Sequence, residues 1–557
     1  MSDPSAPGGA DDATAVTAHG ATDSGTADVA TRGALVRSSA VVAVGTALSR
    51  VTGLVRLVAI LYALELTRLS DSYNAANTMP NLVYELLLGG VLSATLVPVF
   101  VGARDRGDDD ATSAVVSTAA VALVIVTVVG LVLAPELVRV FSSQVADPAE
   151  AAAQQQVATD LLRWFMPQVL FYGFITVVTA LLHSRRSFAA PAFAPVLNNI
   201  VVSALFFSLP TIIGRDLDTS GSLLQAVGDT QLITLMGLGT TAGVAAMALG
   251  LVPALRRTRI RLRMRPDWRN PAVRQVIRLS GWTVGYVVSN QIALFVVLAL
   301  ANGSGPGELS AYQAAFVFFQ LPHGLVAVSV MTTFLPELTE AARRDDPATF
   351  ADRFALGVRM MAVLILPATA GYVALSTDVV ALLPIGSASV ELTAGVLVAF
   401  AIGLLPFSVY LFTLRGFYAR TDTRTPFLVN VVENGINVAL AFPLVAWAGV
   451  RGLGVAYSSA YSVAAVIALV LLARRVPGLI GRSTVDPLVR MALAAVACGA
   501  VAWLVANAMS SYSELIRVPV AGAAGAAAYL VVAWFLRVEE IAAAGRIIAA
   551  RVGRPSS

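Results

Sequence analysis

The chain has 557 residues, 57% hydrophobic and only 13% charged, with a mean hydropathy of +0.76, which excludes a soluble globular fold. All 38 basic residues are arginine, so a GxxxxGK[ST] phosphate loop, which needs a lysine, is excluded as well. Cys498 and the scattered His19, His183 and His323 cannot form a disulfide framework or a metal cluster and read as structural.

Residues 1–33 are rich in Gly, Ala, Ser, Thr and Asp and have neither the basic start nor the apolar core of a signal peptide; they read as a disordered cytoplasmic tail. Apolar segments then recur at 38–64, 73–102, 113–140, 159–183, 189–213, 230–255, 274–301, 309–340, 354–376, 390–418, 426–448, 452–473, 487–509 and 517–537. Each is long enough to cross a ~30 Å hydrocarbon core. The expectation is an all-α polytopic membrane protein of about 14 transmembrane helices. Alternate loops collect arginine, most densely in RRTRIRLRMRPDWRN (256–270), while 141–158, 302–308 and 377–389 carry almost none. By the positive-inside rule the arginine-rich loops and both termini, including a second tail at 541–557, are cytoplasmic. The net charge of +4 thus follows the membrane and gives no reason to expect a nucleic-acid partner.

The first segment holds Arg50 and Arg56 well inside its apolar run. An arginine at a helix centre costs about 2.5–3.5 kcal/mol on insertion scales, so the pair points to a polar cavity more than to snorkelling. Gly45, Ser49 and Gly53 recur every four residues beside them, a seam along which another helix can approach closely. In the second segment Asn74, Asn77, Asn81 and Glu85 fall on one helical face, which should avoid lipid. Pro80 removes a backbone hydrogen bond within that stripe, and Gly89 and Gly90 follow it, so a hinge is expected here.

Further along, Asn290 in the seventh segment is placed to approach Asn430, Glu433, Asn434 and Asn437 in the eleventh. These residues form either a packed polar contact, which the pattern favours, or an oxygen-rich site for a monovalent cation. Pro322 and Gly324 mark the eighth segment as a second hinge, and Arg359 lies inside the ninth as another candidate cavity group.

The fifth and eleventh segments align without gaps as PAFAPVLNNIVVSALFF and PFLVNVVENGINVALAF, pairing Pro191 with Pro426 and Asn199 with Asn434. Pro80 and Pro98 similarly match Pro322 and Pro336. Six segments separate the members of each pair, as in a parallel repeat of six plus six helices. The expected division is an N-terminal lobe at 34–256, a C-terminal lobe at 257–475 and two extra helices within 476–540. Two such lobes usually enclose a central site and rock about it, as in a transporter.

SRVTGLVR in the first segment, MPNLV and LVPVF in the second, PAFAPVLNN in the fifth and QLPHGLVAVSVMTTFLPEL in the eighth resemble the MurJ (MviN) family of lipid II flippases, within the multidrug/oligosaccharidyl-lipid/polysaccharide flippase superfamily. The resemblance covers about 35–540. It implies a cationic cavity for the diphosphate-sugar head of lipid II, with Arg50, Arg56 and Asp71 on family functional positions. Tyr84, Gly89 and Val317 stand where well-studied members carry Arg, Glu and Arg.

The expected function is a flippase for lipid II, not an enzyme, serving cell-wall synthesis in the bacterial plasma membrane. The expected substrate-binding set is Arg50, Arg56, Asp71, Asn77, Asn81, Glu85 and Arg359. No cofactor is expected beyond coupling to a monovalent cation or to the membrane potential. Membrane lipids and cell-wall synthesis proteins are the expected partners. The competing readings are a flippase for another polyprenyl-linked glycan, efflux of cationic drugs, which the arginines oppose, and a transport-inactive cell-wall scaffold.

Overall fold

The structure, a computed structural model, describes residues 23–85, 95–219, 221–258, 260 and 262–541. Among these every regular element is a helix. The first half comprises α1 (Asp23–Leu64), α2 (Arg68–Glu85), α3 (Val97–Asp105), α4 (Asp109–Phe141), α5 (Pro148–Phe165), α6 (Gln168–Ser184), α7 (Ala189–Ile213), α8 (Ser222–Ala226) and α9 (Thr230–Arg257). The second comprises α10 (Pro271–Ser304), α11 (Glu308–Pro322), a single π turn (His323–Ala327), α12 (Val328–Arg343), α13 (Pro347–Val380), α14 (Ser387–Ile402), α15 (Leu404–Ala419), α16 (Arg424–Ala448) and α17 (Val450–Ala473). Then follow α18 (Arg482–Ala508) and α19 (Glu514–Phe535).

Twelve helices or continuous helix pairs among the described residues are long and apolar enough to cross a membrane, and α14 with α15, bent by 44°, makes a thirteenth. Each coincides with one of the fourteen expected segments. The second segment, 73–102, runs through residues 86–94, outside the described ones, as do Gly89 and Gly90. One boundary is corrected: α1 begins at Asp23, so residues 23–33 are helical where a disordered tail was expected. The rest of both tails, 1–22 and 542–557, lies outside the described residues.

Packing repeats between the halves. In the first, α7 lies between α1 and α9; in the second, α16 lies between α10 and α17. The aligned asparagines do equivalent work. Asn199 on α7 donates to the Ser49 carbonyl and the Thr52 hydroxyl of α1 at 3.1 and 3.0 Å, and Asn434 on α16 donates to Asn290 of α10 at 2.7 Å. The small-residue seam serves as expected, with Gly45 against Ala192 and Phe193 of α7, where a Cβ would stand 2.9 Å from the Ala192 methyl.

The two extra helices pair with each other and dock on α13. Ion pairs pin both ends of this contact: Arg517 to Asp378 at 2.6 Å and Arg359 to Glu540 at 2.8 Å. Their outer faces expose Val496, Leu515, Trp534 and Phe535, as suits helices that border lipid.

Pro322 closes α11 and the π turn follows at once, so the eighth segment changes its hydrogen-bond register where a hinge was expected. Pro80, by contrast, sits inside an unbroken α2, and no break marks that hinge between Arg68 and Glu85.

Candidate functional site

Where the halves meet at the arginine-poor end, the N-terminus of α2 faces the N-terminus of α11. Four backbone N–H groups at a helix start lack internal partners and attract a carboxylate. Asp71, fully buried, supplies it from the other half. Its Oδ2 accepts from the Gly307 amide at 2.7 Å, and its Oδ1 accepts from the Ser310 amide and hydroxyl at 3.0 and 2.8 Å. The Asn74 amide also donates to the Ser310 hydroxyl oxygen at 2.9 Å, and the Ser70 and Ser310 hydroxyls lie 2.9 Å apart. Gly307 has φ +77°, and a Cβ there would collide with the Leu66 carbonyl, so only glycine allows this approach.

Around this clasp lies a polar seal. Arg68, 5% exposed, donates to the Asn302 carbonyl at 2.6 Å and to Glu150 at 3.2 Å, and its guanidinium is 3.6 Å from Asp71. Gln154 and Asn302 exchange amide hydrogen bonds of 2.8 and 3.0 Å between α5 and α10. Glu65 accepts from the Gly386 amide at 2.5 Å, and Glu308 from the Val450 amide at 3.2 Å. Sequence reading missed these residues. The Arg68–Asp71 spacing of i,i+3 was the one local signal, since the other partners are distant along the chain.

Exposure grows away from the seal. On α2 it passes from buried Ser70–Ser72 through half-buried Asn74, Asn77 and Asn81 to exposed Glu85; on α1 it passes from buried Leu61 to half-buried Arg56 and exposed Arg50. Neither arginine takes part in a hydrogen bond or ion pair with a described residue. Arg56 lies close enough to Tyr73 and Tyr172 for its charge to act on both. Arg50 reaches the second half, where its guanidinium rests on Gly324: a Cβ at that position would stand 3.3 Å from Nη2. Two unpaired guanidinium forks beside a sealed junction can bind an oxyanion bidentately.

Several expected site residues serve otherwise. Asp71 is consumed by the clasp and is closed to a substrate in this conformation. Asn81 donates to the Asn77 carbonyl at 2.8 Å and accepts from the Tyr172 hydroxyl at 3.0 Å, so it braces α2 against α6. Arg359 is not a cavity group: it binds Glu540 and the Ser483 carbonyl, the latter at 2.9 Å. Gly324 acts here as the seat of Arg50.

In the candidate cation site, Asn430 and Asn434 both donate to Asn290 Oδ1, at 2.8 and 2.7 Å, which is the packed polar contact. Glu433, fully buried, has no hydrogen-bond partner among the described residues for either carboxylate oxygen, and neither have the side-chain carbonyls of Asn430 and Asn437. That oxygen set has the donor chemistry to take a monovalent cation or a proton. No cluster of three or more His, Cys, Asp or Glu groups that could hold a metal occurs among the described residues.

A family model described as lipid II flippase MurJ matches residues 60–520. The "Lipid II flippase MurJ" of Burkholderia cenocepacia is 26% identical over 74% of this chain and 80% of its own length. The "Probable lipid II flippase MurJ" of Vibrio cholerae is 26% identical over 84% of this chain and 89% of its own. Among solved structures, "Lipid II flippase MurJ, inward closed conformation" shares the fold with a TM-score of 0.73 at 19% identity, covering 90% of this chain and 99% of that one. An inward-facing multidrug resistance transporter of the MATE family aligns with a TM-score of 0.63 at 14% identity, over 77% and 95% of the two chains.

Proposed function

Since the chain belongs to the lipid II flippase MurJ family, we propose that it carries lipid II from the inner to the outer leaflet of the bacterial plasma membrane by alternating access. It acts as a transporter rather than an enzyme. One observation carries this reading most directly: two arginines with no hydrogen-bond or ion-pair partner among the described residues lie beside an inter-half junction that a buried carboxylate closes at its arginine-poor end. With the arginine-rich loops and both termini inside, the clasp lies at the outer face, so this conformation is closed to the outside. The two arginines hold the diphosphate, and opening of the clasp while the other end closes moves it outward.

Outward movement of an anionic head group is favoured by an inside-negative potential, by about 2.3 kcal/mol per charge per 100 mV if the full field is crossed. The unpartnered oxygens around Glu433 support a coupling ion in the second half. Depletion of the protein, scored by lipid II accumulating in the inner leaflet, tests the function: rescue by the wild type and failure by Arg50→Ala is the expected result. Rescue by the wild type when the potential is collapsed and ATP alone is supplied would overturn the coupling.

A further inference from the structure

Resting on the lipid II reading, we propose that His323 is the second half's partner to Arg50 in holding the diphosphate, and that its imidazole takes up a proton together with that anion.

His323 opens the π turn, one residue before the glycine on which Arg50 rests. Its side of the junction is built rather than incidental. Nδ1 lies 3.0 Å from the Ser408 hydroxyl oxygen, and that hydroxyl donates its own hydrogen to the Leu404 carbonyl at 2.8 Å. The serine oxygen is therefore left to accept, and Nδ1 carries the hydrogen. The ring meets Phe407 edge to face with centroids 4.6 Å apart, which fixes its plane. Nε2 has no hydrogen-bond partner among the described residues.

The π turn packs against α11, α12, α13 and α15. Among the described residues, the charge that acts on the imidazole is Arg50, which arrives from α1 in the other half. A π turn widens the helix and is favoured at functional sites, and here it carries a histidine next to the bare backbone position on which a guanidinium rests.

The chemistry follows from the tautomer. With Nδ1–H committed to Ser408, neutral His323 presents a lone pair at Nε2, which repels an anionic oxygen. Protonated, it presents an N–H that an oxyanion accepts. Two cations side by side repel unless an anion lies between them. The imidazolium therefore forms with the diphosphate in place, the proton comes from solvent, and no covalent bond is made or broken. Proton and lipid consequently bind with positive coupling, each raising the affinity for the other. The second half thereby gains a charged donor from a residue that is neutral while the site is empty.

The test uses the full-length purified protein with lipid II, whose diphosphate diester is fully ionised across the range studied. Affinity is measured between pH 5.5 and 8.5, and proton uptake on binding is read with an indicator dye in weak buffer. The wild type is expected to bind more tightly as pH falls, with a limiting slope of about tenfold per pH unit for one linked proton, and to take up a proton on binding. His323→Gln is expected to bind at the wild type's weaker, high-pH level with no uptake, and Arg50→Ala to lose binding at every pH. His323→Asn serves as a second variant, and thermal melts show that each is folded. Wild-type binding without proton uptake, or uptake that persists in His323→Gln, overturns this inference alone. Absence of wild-type binding at every pH overturns the lipid II reading and the inference with it.

Discussion

Asp71 on α2 and Ser310 on α11 are joined twice, the serine's amide and its hydroxyl both donating to one carboxylate oxygen, at 3.0 and 2.8 Å. The pair spans the two halves, so under the alternating access proposed above it belongs to one state of the transport cycle and separates in the other. Asp71→Asn keeps the shape but loses the charge that faces the start of α11 and neighbours Arg68. Breaking a buried ionic contact by removing one partner costs about 3–5 kcal/mol, so the outer face should become accessible to a membrane-impermeant thiol reagent at Asn74→Cys. Unchanged labelling would mean that the clasp does not hold the junction.

The same contact gives a direct lock. Asn74 and Ser310 are within 2.9 Å through their side chains, so Asn74→Cys with Ser310→Cys should cross-link while the outer face is closed. Flipping should stop, and a reductant should restore it. Efficient cross-linking with undiminished transport would place the gate elsewhere.

Arg50→Ala and Arg56→Ala should each abolish complementation of a depleted strain with expression intact. Arg50→Lys and Arg56→Lys should rescue poorly, because lysine offers a point charge without the planar fork. Full activity of the double alanine variant would remove both from the site.

Arg359 separates two readings of a half-buried arginine. A cavity role predicts loss of transport on substitution by alanine. Its hydrogen bond to the Ser483 carbonyl and its ion pair with Glu540 predict instead that Arg359→Ala spares transport and lowers stability by about 1.5–3 kcal/mol, the range for a hydrogen bond from a charged group. A thermal melt in detergent beside a complementation assay decides between them.

Asp422, in the loop before α16, accepts from the Arg424 and Thr425 amides at 3.0 Å each and pairs with Arg475. Partial burial pushes its carboxyl up, but the hydrogen bonds of Thr425 and the pairing with Arg475 outweigh this and hold it at about 2. A folded value below the unfolded one stabilises above the unfolded value, near 4, and the benefit is lost as pH falls toward 2. Asp422→Asn should therefore lower the melting temperature at neutral pH and leave it nearly unchanged near pH 2. An equal loss at both would assign the effect to packing rather than to charge.

Much of the architecture was legible along the chain because the bilayer imposes its own period. Spans must be apolar for about 20 residues and arginine gathers on one side, so segment and loop positions follow from composition alone. The repeat was legible too: Asn199 and Asn434 hold the same place in two segments that match without gaps, and each bonds the first helix of its own half. Arg50 and Arg56 stood out because a charge in an apolar run is costly wherever it finally points.

What the sequence by itself determined is thus the number and course of nearly all the spans, the repeat, and the two arginines held inside an apolar run, all set by local cost against lipid. Only the tertiary structure decided what each polar residue faces. It sent Arg359 to Glu540 and Asp71 to the start of α11, and it set Arg50 against Gly324, the neighbour of His323. Those partners lie far apart along the chain, and local periodicity places a side chain on a helix face without saying which helix that face will meet.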